Sequence, residues 1–277
     1  MNDDAIEEFL LDLGLRGYSA NTEKAYRSTV ERALGFCGKS YKDMTTQDLK
    51  KFLLFLQREK GCSLKTIHRH INALRTFFRL FEMDVADKIQ LPKVEKSLPT
   101  FLNHGEIEDL LKSIKKKRDL IIVRLLYASG LRVSELVGLD RSDIDENTIR
   151  VKSGKGKKDR VVFVDDGTSE LIKKYLNERT DKNPALFVNR RKKRLTSRYI
   201  EILVKRHAKR AGIKKKVTPH TLRHTFATHL LQNNANIVVI QKLLGHASLS
   251  TTQIYTHVTD EYKERTYRKA HPLSHTH

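Results

Sequence analysis

The sequence predicts a mainly α-helical chain in two parts: a helical N-terminal domain, and a second domain whose helices accompany a small antiparallel β element. Three observations carry this. Residues 1–86 show helical periodicity only, punctuated by cap and stop signals. The stretch "ADKIQLPKVEKSLPT" then sets Pro92 and Pro99 around charged, weakly periodic residues, a composition suited to an extended linker. Beyond it the period changes once, in "NTIRVKSGKGKKDRVVFV". There Ile149 and Val151 alternate with Arg150 and Lys152, and a Gly-rich basic turn leads into Val161–Val164, the pattern of a β-hairpin. The boundaries read as 1–86 for the first domain, 87–100 for the linker and 101–277 for the second domain.

Each element has its own signal. "DDAIEEFLLDLGLRG" places apolar residues at helical spacing and leaves through a Gly-containing turn. "SANTEKAYRSTVERALGFCG" begins on polar cap candidates and stops at Gly38. "MTTQDLKKFLLFLQREKG" starts on Thr46 or the residue before it and stops at Gly61, and "SLKTIHRHINALRTFFRLFEMD" takes Ser63 as its N-cap. Four such helices suit a small bundle. In the second domain the pattern predicts helices over Glu106–Ser113, Lys117–Ser129, Ser169–Arg179, Ser197–Ala211, Pro219–Gln232 and Ile237–Leu244, with a further one beyond Ser250.

The chain has 277 residues, 39% of them hydrophobic, and carries a formal net charge of +21. A charge of that size attracts polyanions, nucleic acid above all. Cys37 and Cys62 form no C-x-x-C pair, which speaks against a disulfide framework or a cysteine-based zinc site. The acidic start "MNDDAIEEFL" lacks the features of a signal peptide, and no apolar run is long enough to span a bilayer. A cytoplasmic protein without membrane partners is expected.

Four stretches could carry chemistry. In "VTPHTLRHTFATHLL", Thr218 is a good N-cap and Pro219 fits the first helical position. His220 then lies in the first turn, with Arg223 three residues on, at a helix end that already favours anions. Arginine can grip two phosphate oxygens with its planar fork. A metal reading would use His220 with His224, or His224 with His229, but no H-E-x-x-H pattern or nearby Cys supports it. His224 and His229 read better as packed or capping side chains. In "YASGLRVSELVGL", Gly130 looks like a left-handed helix terminator and Ser134 like the start of the next helix, so Arg132 sits in a tight joint. "KSGKGKKDR" is no nucleotide-binding P-loop. It is either a solvated hairpin tip or a means of bringing Lys155 over a phosphate backbone. In "LLGHASLSTTQIYTH", Gly245 ends a helix, His246 follows, and Ser248 or Ser250 can cap a short helix carrying Tyr255. A tyrosine hydroxyl, with a pKa of about 10, needs cationic neighbours to act as a nucleophile.

Together these stretches resemble the tyrosine recombinase/phage integrase family, specifically its Xer-type members. "SGLRVSEL", "GKGKKDR", "HTLRHTFATHLL" and "LGHASLSTTQIYTH" match in order and spacing, and "YSANTEKAYRSTVERALGFC" is similar to the family's core-binding domain. The resemblance implies a SAM-like helical core-binding domain followed by an α+β catalytic domain with a small antiparallel sheet. It implies Arg132 and Arg223 as the catalytic arginines, Lys155 as the hairpin lysine, His220 and His246 as the active-site histidines, and Tyr255 as the nucleophile. It further implies a double-stranded DNA recombination site as partner, a homo-oligomer that is tetrameric on DNA, and no metal, ATP or other cofactor. The expected role is a site-specific recombinase resolving chromosome dimers. Two alternatives are an integrase of a mobile element and a non-catalytic DNA-binding protein on the same scaffold. The lack of an extra N-terminal arm-binding domain favours the first role over the mobile-element integrase.

Overall fold

A computed structural model describes residues 2–92, 100–152 and 159–245. These fall into two compact units, within 1–97 and 98–277. The first unit is four helices: α1 (Asn2–Leu15), α2 (Ala20–Cys37), α3 (Thr46–Arg58) and α4 (Leu64–Leu80). Ser19, Thr45 and Ser63 cap the last three, each side chain accepting a backbone N–H two or three positions into its helix. Gly38 ends α2 in the left-handed region, as its place in the sequence requires. The helix α3 stops at Arg58, before the expected Gly61. A single 3-10 turn at Tyr41–Asp43, absent from the sequence reading, bridges α2 and α3.

Phe9, Leu13, Phe52, Leu56, Phe77 and Phe78 fill the core of this unit, with Phe9 and Phe77 edge-on at 5.2 Å. His70 is buried there and shares a 2.9 Å hydrogen bond with Thr29 across α2 and α4. Burial, with the nearby Arg69 and Arg32, brings its pKa down to about 4. The chain stays with this unit past residue 86: Ile89 is buried and its carbonyl accepts from Arg75 at 2.6 Å. Much of the expected linker, residues 93–99, lies outside the described residues.

The second unit is built around α6 (Lys117–Ala128), whose Ile121, Ile122, Val123, Leu125 and Leu126 are all fully buried. Around it come α5 (His104–Lys112), α7 (Val133–Gly138), α8 (Asp166–Asn177), α9 (Ser197–Arg210), α10 (Pro219–Gln232) and α11 (Ile237–Leu244). The expected hairpin is β2 (Thr148–Val151) with β3 (Arg160–Phe163), antiparallel, Ile149 opposite Val162 and Val151 opposite Arg160. A two-residue strand, β1 (Ile144–Asp145), adds to β2 and makes a three-stranded sheet in the order β1-β2-β3. Alternation sorts its faces: Ile149, Val151 and Val162 are buried, while Val161 and Phe163 are exposed.

Two helices begin earlier than their apolar pattern suggests, and the caps explain both. Asn103 and Glu106 form a reciprocal capping box that starts α5 at His104, and Asp165 accepts the Thr168 N–H to start α8 at Asp166. The polar first turns hide these starts from a reading based on apolar spacing. The expected helix beyond Ser250 lies outside the described residues. Among the described residues, no helix is long and apolar enough to cross a membrane. Cys37 and Cys62 are both free.

Candidate active site

Three chain segments converge in the second unit: the joint between α6 and α7, the first half of α10, and the C-terminal end of α11. Gly130 makes the joint possible. It has φ +61°, and a Cβ there would stand 2.5 Å from Phe226 Cδ1 and 2.9 Å from Leu244 Cδ2. Both the left-handed backbone and the missing side chain are therefore used. The next helix starts at Val133, not Ser134, with Arg132 itself as the N-cap residue. The reason is Glu135, whose carboxylate accepts the Arg132 backbone N–H at 2.7 Å and so closes the first turn without the serine.

The side chain of Arg132 turns back on the same glutamate, donating from Nη1 to Oε1 at 2.8 Å, and reaches the Gly245 carbonyl from Nη2 at 3.2 Å. Arg223, on the second turn of α10, is buried at 3% exposure. It donates to the carbonyls of Gly130 and, at 2.7 Å, of Leu244. A third arginine, Arg160 at the head of β3, grips Glu135 with both terminal nitrogens at 2.9 and 2.8 Å and donates from Nε to the Leu243 carbonyl at 3.0 Å. Thus Leu243, Leu244 and Gly245, three successive carbonyls at the end of α11, accept from three different arginines. The last carbonyls of a helix have no partner within it and carry the negative end of its dipole, so cations settle there.

The electrostatic balance is one-sided. Two guanidinium groups, Arg132 and Arg160, bond the Glu135 carboxylate, and a third, Arg223, joins them at the carbonyls that end α11. Burial pushes the Glu135 carboxyl up, but its bonds from Arg160, the Arg132 N–H and the Arg132 side chain outweigh that and hold it down at about 2. Glu135 is therefore an anion at any physiological pH, and among the described residues of this cluster three arginine charges stand against its one. Of the two arginines named from the sequence, Arg132 is the more open, its side chain 36% exposed.

His220 lies in the first turn of α10, exposed, three residues before the buried Arg223. Thr218 and Pro219 start this helix as the sequence predicts. Lys155, His246 and Tyr255 lie outside the described residues. His224 and His229 are buried packing groups. The His224 ring sits 6.5 Å from that of Phe101, and His229 shares a 2.8 Å hydrogen bond with the Tyr127 hydroxyl and stacks on His104. Burial, and then His104, keep the His229 pKa below its ordinary value. Among the described residues, no three His, Cys, Asp or Glu side chains gather as a metal-holding group. The sequence reading missed Glu135 and Arg160. The first had a visible signal, an acidic residue three places after a helix-start arginine. The second was merely the last residue of a basic turn.

Residues 100–262 match the phage integrase family, and residues 6–86 match the phage integrase N-terminal SAM-like domain. The chain is 42% identical to the tyrosine recombinase XerA of Thermococcus kodakarensis over 96% of its own length and 95% of that protein's. It is 39% identical to the tyrosine recombinase XerC of Thermodesulfovibrio yellowstonii over 97% of this chain and 96% of that one. Among solved structures it is similar to a XerA recombinase, with 35% identity, a TM-score of 0.58, and 98% and 99% of the two chains covered. It is similar also to the XerH site-specific recombinase bound to its difH substrate, with 29% identity, a TM-score of 0.73, and 91% and 80% covered. Two glycine-hinged helix ends, an arginine cluster between them and these relatives along nearly the whole length lead to one assignment: the chain belongs to the phage integrase family, as a tyrosine recombinase of the Xer type.

Proposed function

We propose that this recombinase cuts and rejoins double-stranded DNA at a specific site through a 3′-phosphotyrosyl intermediate, and that its cellular task is to resolve chromosome dimers in the cytoplasm. The observation that carries the reading is the convergence of Arg132, Arg160 and Arg223 on the end of α11, the first two of them bonded to Glu135. Such a site has positive charge to spare for a phosphodiester, and it lies in a chain of net charge +21. The first domain, 1–86, contributes further DNA contacts as a core-binding domain, joined through 87–100 to a catalytic domain over 101–277.

In this mechanism the Tyr255 oxygen attacks phosphorus. The bond from phosphorus to the 5′-oxygen breaks, leaving a 3′-phosphotyrosine and a free 5′-hydroxyl. Arg132 and Arg223 hold the non-bridging oxygens and stabilise the charge that builds on them. Lys155 gives a proton to the departing 5′-oxygen, and His220 takes the tyrosine's. His246 steadies the phosphate or the tyrosine. A 5′-hydroxyl from the partner duplex then reverses the step. The bond energy stays in the phosphotyrosine, so ATP is not consumed, and side-chain cations do the work a metal would do elsewhere. A duplex nicked next to the cleavage site loses its short 5′-hydroxyl fragment and traps the intermediate. We expect a denaturant-resistant adduct on such DNA, in EDTA as in its absence. Loss of the adduct in EDTA with recovery on adding zinc would overturn the metal-free scheme.

Strand exchange between two duplexes needs four cleavages, hence a homotetramer on DNA, which head-to-tail contacts can close into a ring. In this proposal the residues after Tyr255, "THVTDEYKERTYRKAHPLSHTH", dock on a neighbouring protomer. Their thin apolar stripe of Val258, Tyr262 and Tyr267 gives them little reason to fold without a surface. An apolar cleft of about 300 Å³ in the second unit, lined by Val162, Phe163, Phe226, Leu230 and Leu243 among others, is of the kind such a segment requires. Truncation after Asp260 is expected to keep binding to one site while losing paired complexes and strand exchange, as read on native gels and in a two-site recombination assay. Recombination at the wild-type rate by the truncated protein would exclude the arrangement.

A further inference from the structure

The mechanism above has no use for Arg160, yet its side chain makes three directed contacts in the cluster. It stands first on β3, directly after the stretch that contains Lys155, and its side chain is only 11% exposed. Its two terminal nitrogens take both oxygens of Glu135, and its Nε takes the Leu243 carbonyl. Gly245, left-handed at φ +62°, lies against the arginine's shaft: a Cβ there would be 3.1 Å from Arg160 Cδ and 3.2 Å from Nε. Glu135 in turn holds Arg132 by two hydrogen bonds, one to its backbone and one to its side chain. The contacts form a line: Arg160 fixes the carboxylate, and the carboxylate fixes the guanidinium.

We propose that Arg160 is a positioning residue for strand cleavage, which holds Arg132 at the scissile phosphate through the shared carboxylate of Glu135 and braces the end of α11 against the hairpin. The inference rests on the recombinase reading above. Its physical content is geometric. A carboxylate held on one side only can rotate about its own bonds, and Arg132 would rotate with it. A bidentate fork from Arg160 removes that freedom. An arginine displaced by about an ångström costs on the order of a hundredfold in rate, with the phosphate still bound.

The test uses the full chain and a nicked duplex bearing the site recovered by selection from random DNA. Cleavage is followed in a single turnover at saturating protein, beside DNA affinity and thermal melting. Arg160→Ala is expected to slow cleavage about 10- to 100-fold while affinity stays near wild type. Arg160→Lys, which keeps the charge but not the fork, should melt like the wild type and cleave at an intermediate rate. It decides the matter if the alanine variant does not fold. The line of contacts adds a signature that a structural arginine would not give: in Arg160→Ala with Glu135→Gln, the combined loss should be far smaller than the product of the single losses. Wild-type cleavage by Arg160→Lys, or a fully multiplicative double variant, would overturn the proposal. If the wild-type protein forms no adduct on this duplex, the recombinase chemistry itself has failed, an outcome separate from either of these.

Discussion

Tyr255→Phe is expected to bind its DNA site nearly as the wild type does and to form no covalent adduct on nicked DNA. The substitution removes one oxygen and leaves the ring, so packing changes little. What goes is the only atom of that side chain able to attack phosphorus. The remaining cationic side chains would still hold the phosphate, which is why affinity is spared. The measurement pairs a gel-shift titration with a denaturing gel, and adduct at wild-type yield from the variant would remove Tyr255 from the nucleophile's role.

Arg223→Ala is expected to lose about 10²- to 10³-fold in cleavage rate, the scale for deleting one donor to a transition-state oxyanion. The structure adds a second expectation. Arg223 is buried and its guanidinium serves the carbonyls of Gly130 and Leu244, so alanine leaves two acceptors wanting, at about 1–3 kcal/mol for each one that stays dry. A drop in melting temperature should accompany the loss of activity. Arg132→Ala is the control, since its side chain is partly open and a smaller stability loss should come with a comparable loss in rate. Rates are compared per folded molecule at saturating DNA. Two folded variants that cleave like the wild type would reduce both arginines to structural ties.

What could be read from the sequence was local. Ser19, Ser63, Thr218 and Pro219 announce their helices because a cap is a contact over two or three residues. Gly130 could be read as left-handed from its place after an apolar helix, and its φ of +61° agrees. The hairpin showed itself by its alternation, whereas β1 at two residues is too short to alternate at all. Glu135 could have been read from its place three residues after Arg132, but its bond to Arg160 could not, because it joins positions 25 apart and nothing in either neighbourhood points to the other. The same holds for Asp119, fully buried in α6 and met by His207 and Arg206 from α9 and by its neighbour Arg118. From the sequence it is one more charge in the first turn of a helix. Arg223 was found, but its burial was not, since its reach to Gly130 spans 93 positions.

Those separations bear on the order in which the molecule comes together. The three arginines close on the end of α11 across 83, 21 and 113 positions, for Arg160 to Leu243, Arg223 to Leu244 and Arg132 to Gly245. Two of the three loops are long, and contacts that close long loops repay their entropy only when most of the unit is in place. A half-folded chain therefore has the arginines without the full cage: the bonds from Arg160 and Arg132 need β3, α7 and α11 in place together. Until then the guanidinium groups stand apart on separate segments and grip no phosphate in common. The closing of this cage is expected to come late in folding, and with it, if the arginines act as proposed, the competence to cut DNA.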